Sequence, residues 1–282
     1  MKEKLLYLFI CLSSCMLVHA QEDSIKANRH IMRATMLGAG YANVFDTYLS
    51  PFEYKGPEVR FLLENMRMTR MMGGNVSAQH LFQVHFAYTD THSKMVKCYS
   101  GLINWSYALH YQKQYNDNFK LLFGPMFDLN CGVIYNKRNS NNPAQAKVYA
   151  NIAASVMAIY KFHIGNSPLT VRYQANLPFL GAMFSPEYGE SYYEIFGLKH
   201  GGKHVVCTSI HNAPSLKQML TLDFPVKKTI LRIGYVCDIQ QAKVNNLKSH
   251  YYSHDFMIGV VKNLYLIKGK KQVSMPASVT PY

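Results

Sequence analysis

Beyond Val18 the chain has no long hydrophobic run, and charged residues occupy only 16% of its 282 positions. Without such a run no membrane-spanning helix is predicted, because one needs about 20 consecutive apolar residues. The shortage of charge is also unlike a soluble domain, whose surface carries about 25–35% charged residues. Aromatic residues are abundant instead, at 13% of the chain with 21 tyrosines. This balance is typical of membrane β-barrels, in which lumen-facing polar residues dilute the lipid-facing apolar ones.

Cysteine gives no sign of a metal site or of a disulfide framework. Two of the six cysteines lie in the N-terminal apolar stretch, and the others are far apart without C-x-x-C spacing: Cys98, Cys131, Cys207 and Cys237. Closely spaced cysteine pairs are the usual signature of zinc sites. The pairs His200/His204 and His250/His254 would bring ligands together on a helix but not on a strand. We predict neither a metal nor a cofactor.

An alternating pattern runs from 101 to 135, in which apolar or aromatic residues on one face are interleaved with mostly small or polar residues on the other. Before a turn at 114–117, one strand face consists of Ile103, Trp105, Tyr107, Leu109 and Tyr111. After the turn the apolar face is longer: Phe119, Leu121, Phe123, Pro125, Phe127, Leu129, Cys131, Val133 and Tyr135. Strands of soluble sheets average about 5–6 residues, whereas a tilted strand needs about 9–11 to cross a bilayer. We therefore predict a transmembrane hairpin, whose pattern the rest of the chain repeats.

Repetition of this pattern predicts an all-β fold, a transmembrane antiparallel up-and-down β-barrel of about ten strands. Short predicted connections at 72–75, 114–117, 165–168 and 225–228 alternate with longer ones at 49–57, 91–94, 137–147, 183–204 and 242–248. Short turns at one end and longer loops at the other are typical of bacterial outer-membrane barrels. One alternative is twelve strands, with a turn at Pro214 and an extra strand inside 191–198. The other is a soluble β-sandwich, which would need far shorter strands.

The N-terminus has the layout of a secretory signal peptide. Two lysines precede an apolar stretch at 5–18, and Val18-His19-Ala20 forms a small-residue cleavage site. We predict a signal peptide at 1–20, cut after Ala20, and export to the outer membrane of a Gram-negative cell. The alternatives are a lipoprotein signal ending at Cys15 and an uncleaved anchor. The rest of the chain divides into three predicted segments: a periplasmic lead-in at 21–29, the β-barrel at 30–266 and a C-terminal tail at 267–282.

The net charge of +14 calls for an anionic partner. Nucleic acid is in the wrong compartment for an exported chain, so the predicted partners are outer-membrane lipids, including lipopolysaccharide. A basic residue near an anionic membrane surface gains about 1 kcal/mol. The alternative is that the basic residues only keep the loops solvated. The oligomeric state is left open.

Both signs of charge occur on the polar faces of the predicted strands. The candidates for the lumen are Lys120, Asp128, Lys161, Arg172, Lys217, Asp223, Arg232 and Asp238. Side chains just fill a barrel of about eight strands, and wide aqueous channels have roughly 16–18, so ten strands leave a narrow lumen. Charges in such an interior must pair. We predict a salt-bridged plug rather than a restricted polar path, and we do not expect a general porin.

An enzymatic alternative depends on Ser209, His211 and Asn212, next to the longest predicted loop. Outer-membrane phospholipases and lipid A deacylases use a Ser/His pair on a barrel wall, where His activates the hydroxyl as a general base. Residues two apart on a strand share a face. The acidic or amide group that would orient the histidine is not identifiable, and no lipase motif is present. We therefore predict a non-enzymatic protein and keep the lipid hydrolase as the alternative.

The predicted loop at 182–203 is the most aromatic and basic of the outer loops. Its candidate binding residues are Tyr188, Tyr192, Tyr193, Lys199, His200 and Lys203. Aromatic rings beside cations suit sugar or phosphate groups. The alternative is that this loop packs over the mouth of the barrel.

Four segments carry a resemblance to a known family: Phe196–Gly202, Ser209–Asn212 with Ser215-Leu216, Leu220–Pro225 and Leu231–Tyr235. Through them the chain resembles a family of outer-membrane barrels from Bacteroidetes-type bacteria, a domain of unknown function. The resemblance implies a barrel fold, an outer-membrane location and insertion by the barrel-assembly machinery, but no activity. In one respect the chain departs from such barrels, which usually end on an aromatic residue. Here a basic tail with Ser and Pro, from Lys268 to Tyr282, follows the last strand.

Overall fold

The computed structural model describes residues 30–139, 142–165, 167–198, 204–226, 229–267 and 271–274. The predicted signal peptide, the lead-in and most of the C-terminal tail lie outside these residues. The described strands are β1 (His30–Asp46), β2 (Ser50–Met68), β3 (Val76–Asp90), β4 (Lys97–Gln114), β5 (Phe119–Asn136), β6 (Ala144–Ile164), β7 (Ser167–Phe184), β8 (Val205–Ser209), β9 (Ser215–Val226), β10 (Thr229–Val244), β11 (Leu247–Ile267) and β12 (Lys271–Ser274). A short helix, α1 (Tyr192–Phe196), lies between β7 and β8, and a 3-10 turn (Met71–Gly74) joins β2 to β3.

The sheet closes on itself as an antiparallel barrel. Neighbouring strands pair in the order β1 to β7, then β9, β10 and β11, and β1 closes the ring by pairing with β11 from His30↔Tyr265 to Asp46↔Ser249. β12 pairs only with the last four residues of β11 and lies outside the ring. β8 and β9 share one position beside β7: β8 pairs with the end of β7, and β9 pairs with an earlier part of it. The ring therefore has ten strand positions, which confirms the predicted barrel of about ten strands.

Both alternative folds are wrong. The stretch 191–198 contains α1, which begins with a reciprocal capping box between Ser191 and Glu194, and not an extra strand. Pro214 lies in the interruption between β8 and β9, but the chain does not reverse there, since both segments run antiparallel to β7. A β-sandwich is excluded because the strands form one closed ring instead of two packed sheets.

The connections differ between the two ends of the barrel. At the end that we call the turn end, β2 and β3 are joined through 69–75, and β4 and β5 through 115–118. The opposite end, which we call the loop end, has its longest connection at 185–204. Two predicted loops at this end are wrong. Residues 50–57 belong to β2, and β10 and β11 are joined by a two-residue turn at Asn245 and Asn246, which both have positive φ.

The polarity of the barrel is inverted relative to a soluble protein. Trp105 on β4 is exposed on the outer surface, whereas its neighbours Asn104 and Ser106 are buried in the lumen. Large apolar side chains are exposed at all ten positions of the ring. On the seam between β1 and β11 the backbones approach closely, because a Cβ at Gly38 would overlap the carbonyl oxygen of Phe256.

Candidate functional site

The first polar layer of the lumen is built around Glu64 on β2. Arg172 on β7 donates from Nη1 and Nη2 to its two carboxylate oxygens, at 2.7 and 2.6 Å. Arg232 on β10 donates to the same carboxylate at 2.7 Å, and Gln79 donates at 2.6 Å. Arg232 also donates from Nε and Nη2 to both oxygens of Asp223 on β9, at 2.6 and 2.7 Å. Two carboxylates thus balance two guanidinium groups, and the layer is electrically neutral.

Two ion pairs connect strands on opposite sides of the ring. β2 and β7, which carry Glu64 and Arg172, are five positions apart in a ring of ten. β1 and β6 are also five positions apart, and there Lys147 Nζ lies 2.6 Å from Asp46 Oδ2 at the loop end. Each of these ion pairs spans the lumen from one wall to the opposite one. The lumen is therefore bridged at two separate levels.

The second polar layer is built around Arg60 on β2, which is fully buried. Its guanidinium donates to Asp255 at 2.7 Å, to Glu58 at 2.8 Å and to Gln83 at 2.9 Å. Tyr251 donates its hydroxyl hydrogen to the other oxygen of Glu58 at 2.6 Å. This layer links β2, β3 and β11 around one cation.

A third polar group joins β5 to β9. Lys217 Nζ donates to both oxygens of Asp128 at 3.0 and 2.9 Å. Asn104 and Ser106 on β4 donate to the same carboxylate at 2.8 and 2.7 Å. The buried charge of Asp128 is thereby matched by one cation and by neutral donors.

Apolar layers separate these polar ones. From the turn end, the inward side chains of β2 include Met66, Glu64, Leu62, Arg60, Glu58 and Tyr54 in that order. Met66 belongs to an apolar cluster near the turn end, Leu62 to one in the middle and Tyr54 to one at the loop end. Apolar and ion-paired layers thus alternate along the described lumen.

The structure brings together most of the predicted lumen residues. Asp128 pairs with Lys217, Arg172 and Arg232 share one carboxylate, and Arg232 also holds Asp223. The remaining candidates lie elsewhere in the interior: Asp238 at 4.0 Å from Arg60, and Lys120 and Lys161 half-buried near the turn end of β5 and β6.

The sequence reasoning missed the central members of two layers, Glu58, Arg60 and Glu64 on β2. Their signal was present, since they occupy even positions that alternate with the apolar Val59, Phe61 and Leu63. Asp255 on β11 was missed as well, although it lies between the outward-facing Phe256 and His254. The alternation of β2 is harder to recognise because Leu62 and Met66 face inward as well.

The described part of the connection between β7 and β8, residues 185–198 and 204, packs over the loop end. The hydroxyl of Tyr192 on α1 donates to Gln145 at 2.9 Å and accepts from the backbone N–H of Ala146 at 2.7 Å. Tyr192 also packs edge-on against Tyr48, whose hydroxyl donates to the carbonyl of Glu190 at 2.8 Å. Burial, with neighbouring Tyr192 and Glu190, raises the pKa of Tyr48 to about 12, so this donor stays protonated.

The six predicted loop-binding residues therefore separate into different environments. Tyr192 is half-buried in the packing of the loop over the mouth. Tyr188 and Tyr193 are 73% and 71% exposed and face solvent. Three predicted residues lie outside the described part of the chain: Lys199, His200 and Lys203.

A cavity of about 50 Å³ lies among residues near the loop end of the strands. Lys147, Tyr149, Thr208 and Gln240 contribute polar groups to its wall. The buried hydroxyl of Thr208 has no hydrogen-bond partner within the described protein. A cavity of this size holds a few water molecules, each occupying about 10–15 Å³ by this measure.

The residues of the hydrolase hypothesis form a local turn between β8 and β9. The side chain of Asn212 accepts from the backbone N–H of Ser209 at 2.7 Å, and its amide donates to the carbonyl of Cys207 at 3.0 Å. Ser209 Oγ accepts from the backbone N–H of His211 at 3.4 Å, and His211 is exposed. These hydrogen bonds stabilise the backbone of the turn. The atom of His211 that contacts Ser209 Oγ is its backbone nitrogen, not its imidazole ring.

Within residues 30–274, as far as they are described, no three or more His, Cys, Asp or Glu side chains are arranged to hold a metal ion. The four cysteines of this part are free thiols. No described helix is both long enough and apolar enough to cross a membrane.

Comparison with known proteins gives one family match and several structural ones. The sequence profile described as "Protein of unknown function (DUF3316)" matches residues 5–271. No curated protein matches the chain. Among solved structures, the translocator domain of the autotransporter NalP from Neisseria meningitidis is 11% identical at a TM-score of 0.40, covering 94% of this chain and 96% of that one. The outer membrane protease OmpT from Escherichia coli is 4% identical at a TM-score of 0.45, covering 84% and 97%.

Proposed function

Because the chain belongs to the family described as "Protein of unknown function (DUF3316)", a description that names no activity, we propose a function from the geometry of the barrel. The proposal is a sealed, non-enzymatic barrel of the bacterial outer membrane that binds lipopolysaccharide at its loop end. A signal peptide cut after Ala20 exports the chain, and the barrel-assembly machinery inserts it.

Inverted polarity supports the membrane location. Exposed apolar side chains encircle the barrel, whereas soluble proteins rarely expose contiguous apolar patches above about 600 Å². Fully buried arginines occupy the interior: Arg60, Arg172 and Arg232. The loop end faces the cell exterior in this proposal, because outer-membrane barrels carry short turns on the periplasmic side.

The observation that carries the sealed lumen is the contact between Glu64 and Arg172. It joins opposite walls of the barrel through two hydrogen bonds of 2.7 and 2.6 Å. A second cross-lumen pair, Asp46 with Lys147, lies closer to the loop end. A solute would have to break both ion pairs, and removing one member of a buried pair costs about 3–5 kcal/mol.

The loop end supports a role in binding anionic glycolipid. Its exposed basic side chains include Lys94, Lys97, Lys137, Arg138, Lys243 and Lys248. Tyr188 and Tyr193 are exposed in the same region of the barrel. Aromatic faces beside cations suit the sugars and phosphates of lipopolysaccharide. The non-enzymatic part of the proposal is supported by the turn-forming contacts of Ser209 and Asn212.

The test compares a double tyrosine variant at the loop end with a single tyrosine variant at the turn end. We expect Tyr188→Ser with Tyr193→Ser to weaken the binding of labelled lipopolysaccharide by about threefold or more, because each lost aromatic contact is worth about 0.5–1 kcal/mol. Fluorescence anisotropy with the refolded chain in detergent measures the affinity. The control is Tyr115→Ser, which removes an exposed tyrosine at the turn end. Equal affinities of the two variants, or no binding by the wild type, would overturn the role of the loop end.

A further inference from the structure

Three basic side chains meet on the outer surface near the turn end, where β11, β1 and β2 adjoin. Arg33 on β1 lies directly opposite Lys262 on β11. On the other side Arg33 is opposite Asn65, to whose Oδ1 its Nε donates at 3.0 Å. Arg67 on β2 is opposite Ile31, two residues from Arg33 along the seam. All three basic side chains are exposed.

This cluster has no acidic counterpart on its own strands. Among the described outward-facing residues of β11, β1 and β2, the one carboxylate is Glu53, which lies at the loop end and pairs with Lys55 at 3.1 Å. Like charges directly opposite each other on neighbouring strands destabilise a sheet. The Arg33/Lys262 pair is therefore unfavourable for the isolated barrel and becomes favourable when an external anion lies between the two cations.

An apolar groove of about 400 Å³ lies on the same seam, closer to the middle of the barrel. Its walls include Leu37, Val59, Phe256 and Ile258, and Phe256 is 74% exposed. Ala39 lies between Phe256 and Val59 on the outer face, and its small side chain leaves the depression open. The groove has the composition and the exposure of a surface that contacts hydrocarbon.

The distance between the cations and the groove matches half a bilayer. Leu37 and Ala39 follow Arg33 by four and six residues, which is about 13–20 Å along a strand. For a strand tilted by about 40° this is about 10–15 Å along the membrane normal. The hydrocarbon core of a membrane is about 30 Å thick, so one leaflet contributes about 15 Å. A phosphate held at Arg33 and Lys262 would thus belong to a lipid whose acyl chain reaches the groove.

We propose that this seam is a binding site for a phospholipid with an anionic headgroup from the periplasmic leaflet. Arg33, Lys262 and Arg67 hold the phosphate, and the groove between Phe256 and Val59 holds an acyl chain. The leaflet assignment rests on the proposed function, in which the turn end faces the periplasm. Lipopolysaccharide, in contrast, would meet the loop end.

Native mass spectrometry of the full chain in a neutral detergent tests this site with two probes, dioleoyl phosphatidylglycerol and dioleoyl phosphatidylcholine. We expect the wild type to retain the anionic lipid about tenfold or more over the zwitterionic one, since each cation near an anionic headgroup contributes about fivefold. Arg33→Gln with Lys262→Gln should remove this preference. The matched control Lys113→Gln removes an exposed outward cation near the turn end of β4 and should retain the preference.

A thermal measurement separates a lipid site from a structural role. A folded barrel migrates differently from the unfolded chain on a gel, so the temperature at which heating changes its mobility reports its stability. In neutral detergent without lipid, Arg33→Gln should raise this temperature, because the repulsion from Lys262 is relieved. Equal retention of both lipids by the wild type, or a loss in the double variant no larger than in Lys113→Gln, would overturn the site. A chain that shows no heat-dependent shift and does not insert into vesicles would instead contradict the proposed function.

Discussion

At the scale of single residues, the interior depends on Glu64, which holds two guanidinium groups from different strands. Both of its oxygens accept charged hydrogen bonds, and Gln79 adds a neutral one. Arg172 and Arg232 are both fully buried, so solvent at the surface does not replace this carboxylate. The stability of the layer therefore depends on one side chain.

Glu64→Ala should destabilise the barrel by about 3–5 kcal/mol, because it leaves two buried cations with one carboxylate, Asp223. Urea unfolding in detergent, followed by gel mobility, measures the change. The control is Glu53→Ala, whose pair with Lys55 is half-exposed and should be worth no more than about 1 kcal/mol. Equal midpoints for the two variants would show that the ion pair at Glu64 does not stabilise the fold.

The sequence allowed the faces of these residues to be predicted, but not their partners. Alternation in β5, β7, β9 and β10 assigned Asp128, Arg172, Lys217 and Arg232 to the lumen, where the structure has them. Which charges meet depends on how the ring closes and on the register of strands five positions apart. Glu64 and Arg172 are 108 residues apart in sequence, and no local pattern connects them.

At the scale of elements, α1 and its flanking residues cover the loop end without forming a separate domain. Ile195 is the buried residue of α1, and Tyr192 connects the helix to Gln145 on β6. Phe184, Tyr192 and Phe196 all contact one another, with 6.2 Å between the ring centroids of each pair. The side chain of Tyr192 thus packs against the barrel, whereas the side chain of Tyr193 is exposed to solvent.

Tyr192→Phe should loosen this covering loop while leaving the barrel intact. The change removes a donor to Gln145 and an acceptor for Ala146, and a hydrogen bond is worth about 0.5–1.5 kcal/mol. We expect cleavage by a glutamate-specific protease at Glu187 or Glu190 to become about fivefold faster. Tyr193→Phe is the matched control, because that side chain is exposed. Unchanged cleavage in Tyr192→Phe would show that its hydroxyl does not hold the loop.

The wrong loop at 49–57 has a physical cause at this scale. Pro51 and Gly56-Pro57 are turn formers, yet β2 passes through them and pairs with β1 at Gly56↔Ala42 and Tyr41↔Pro57. On the other edge, the pairing with β3 is interrupted between Lys55 and Glu58. Proline lacks a backbone N–H, so it is tolerated where a ladder is interrupted. The turn signal marked a local irregularity of the sheet instead of a change of direction.

At the scale of the whole molecule, ten strand positions give a ring narrow enough for side chains to meet across it. Met66, Leu62 and Tyr54 add apolar layers between the ion-paired ones. Sequence reasoning predicted a salt-bridged plug from charge alone. It did not include the apolar layers, because inward methionines and leucines look the same as outward ones in an alternating pattern.

The sealed lumen is tested most directly by electrical recording from the refolded chain in a planar bilayer. We predict no discrete conductance steps under applied voltage, while a general porin added to the same membrane produces them. The same recording on Arg172→Ala controls for contaminating pores, since their steps would not depend on this residue. Discrete steps in the wild type whose size changes in Arg172→Ala would contradict a sealed barrel and assign the protein to the channels.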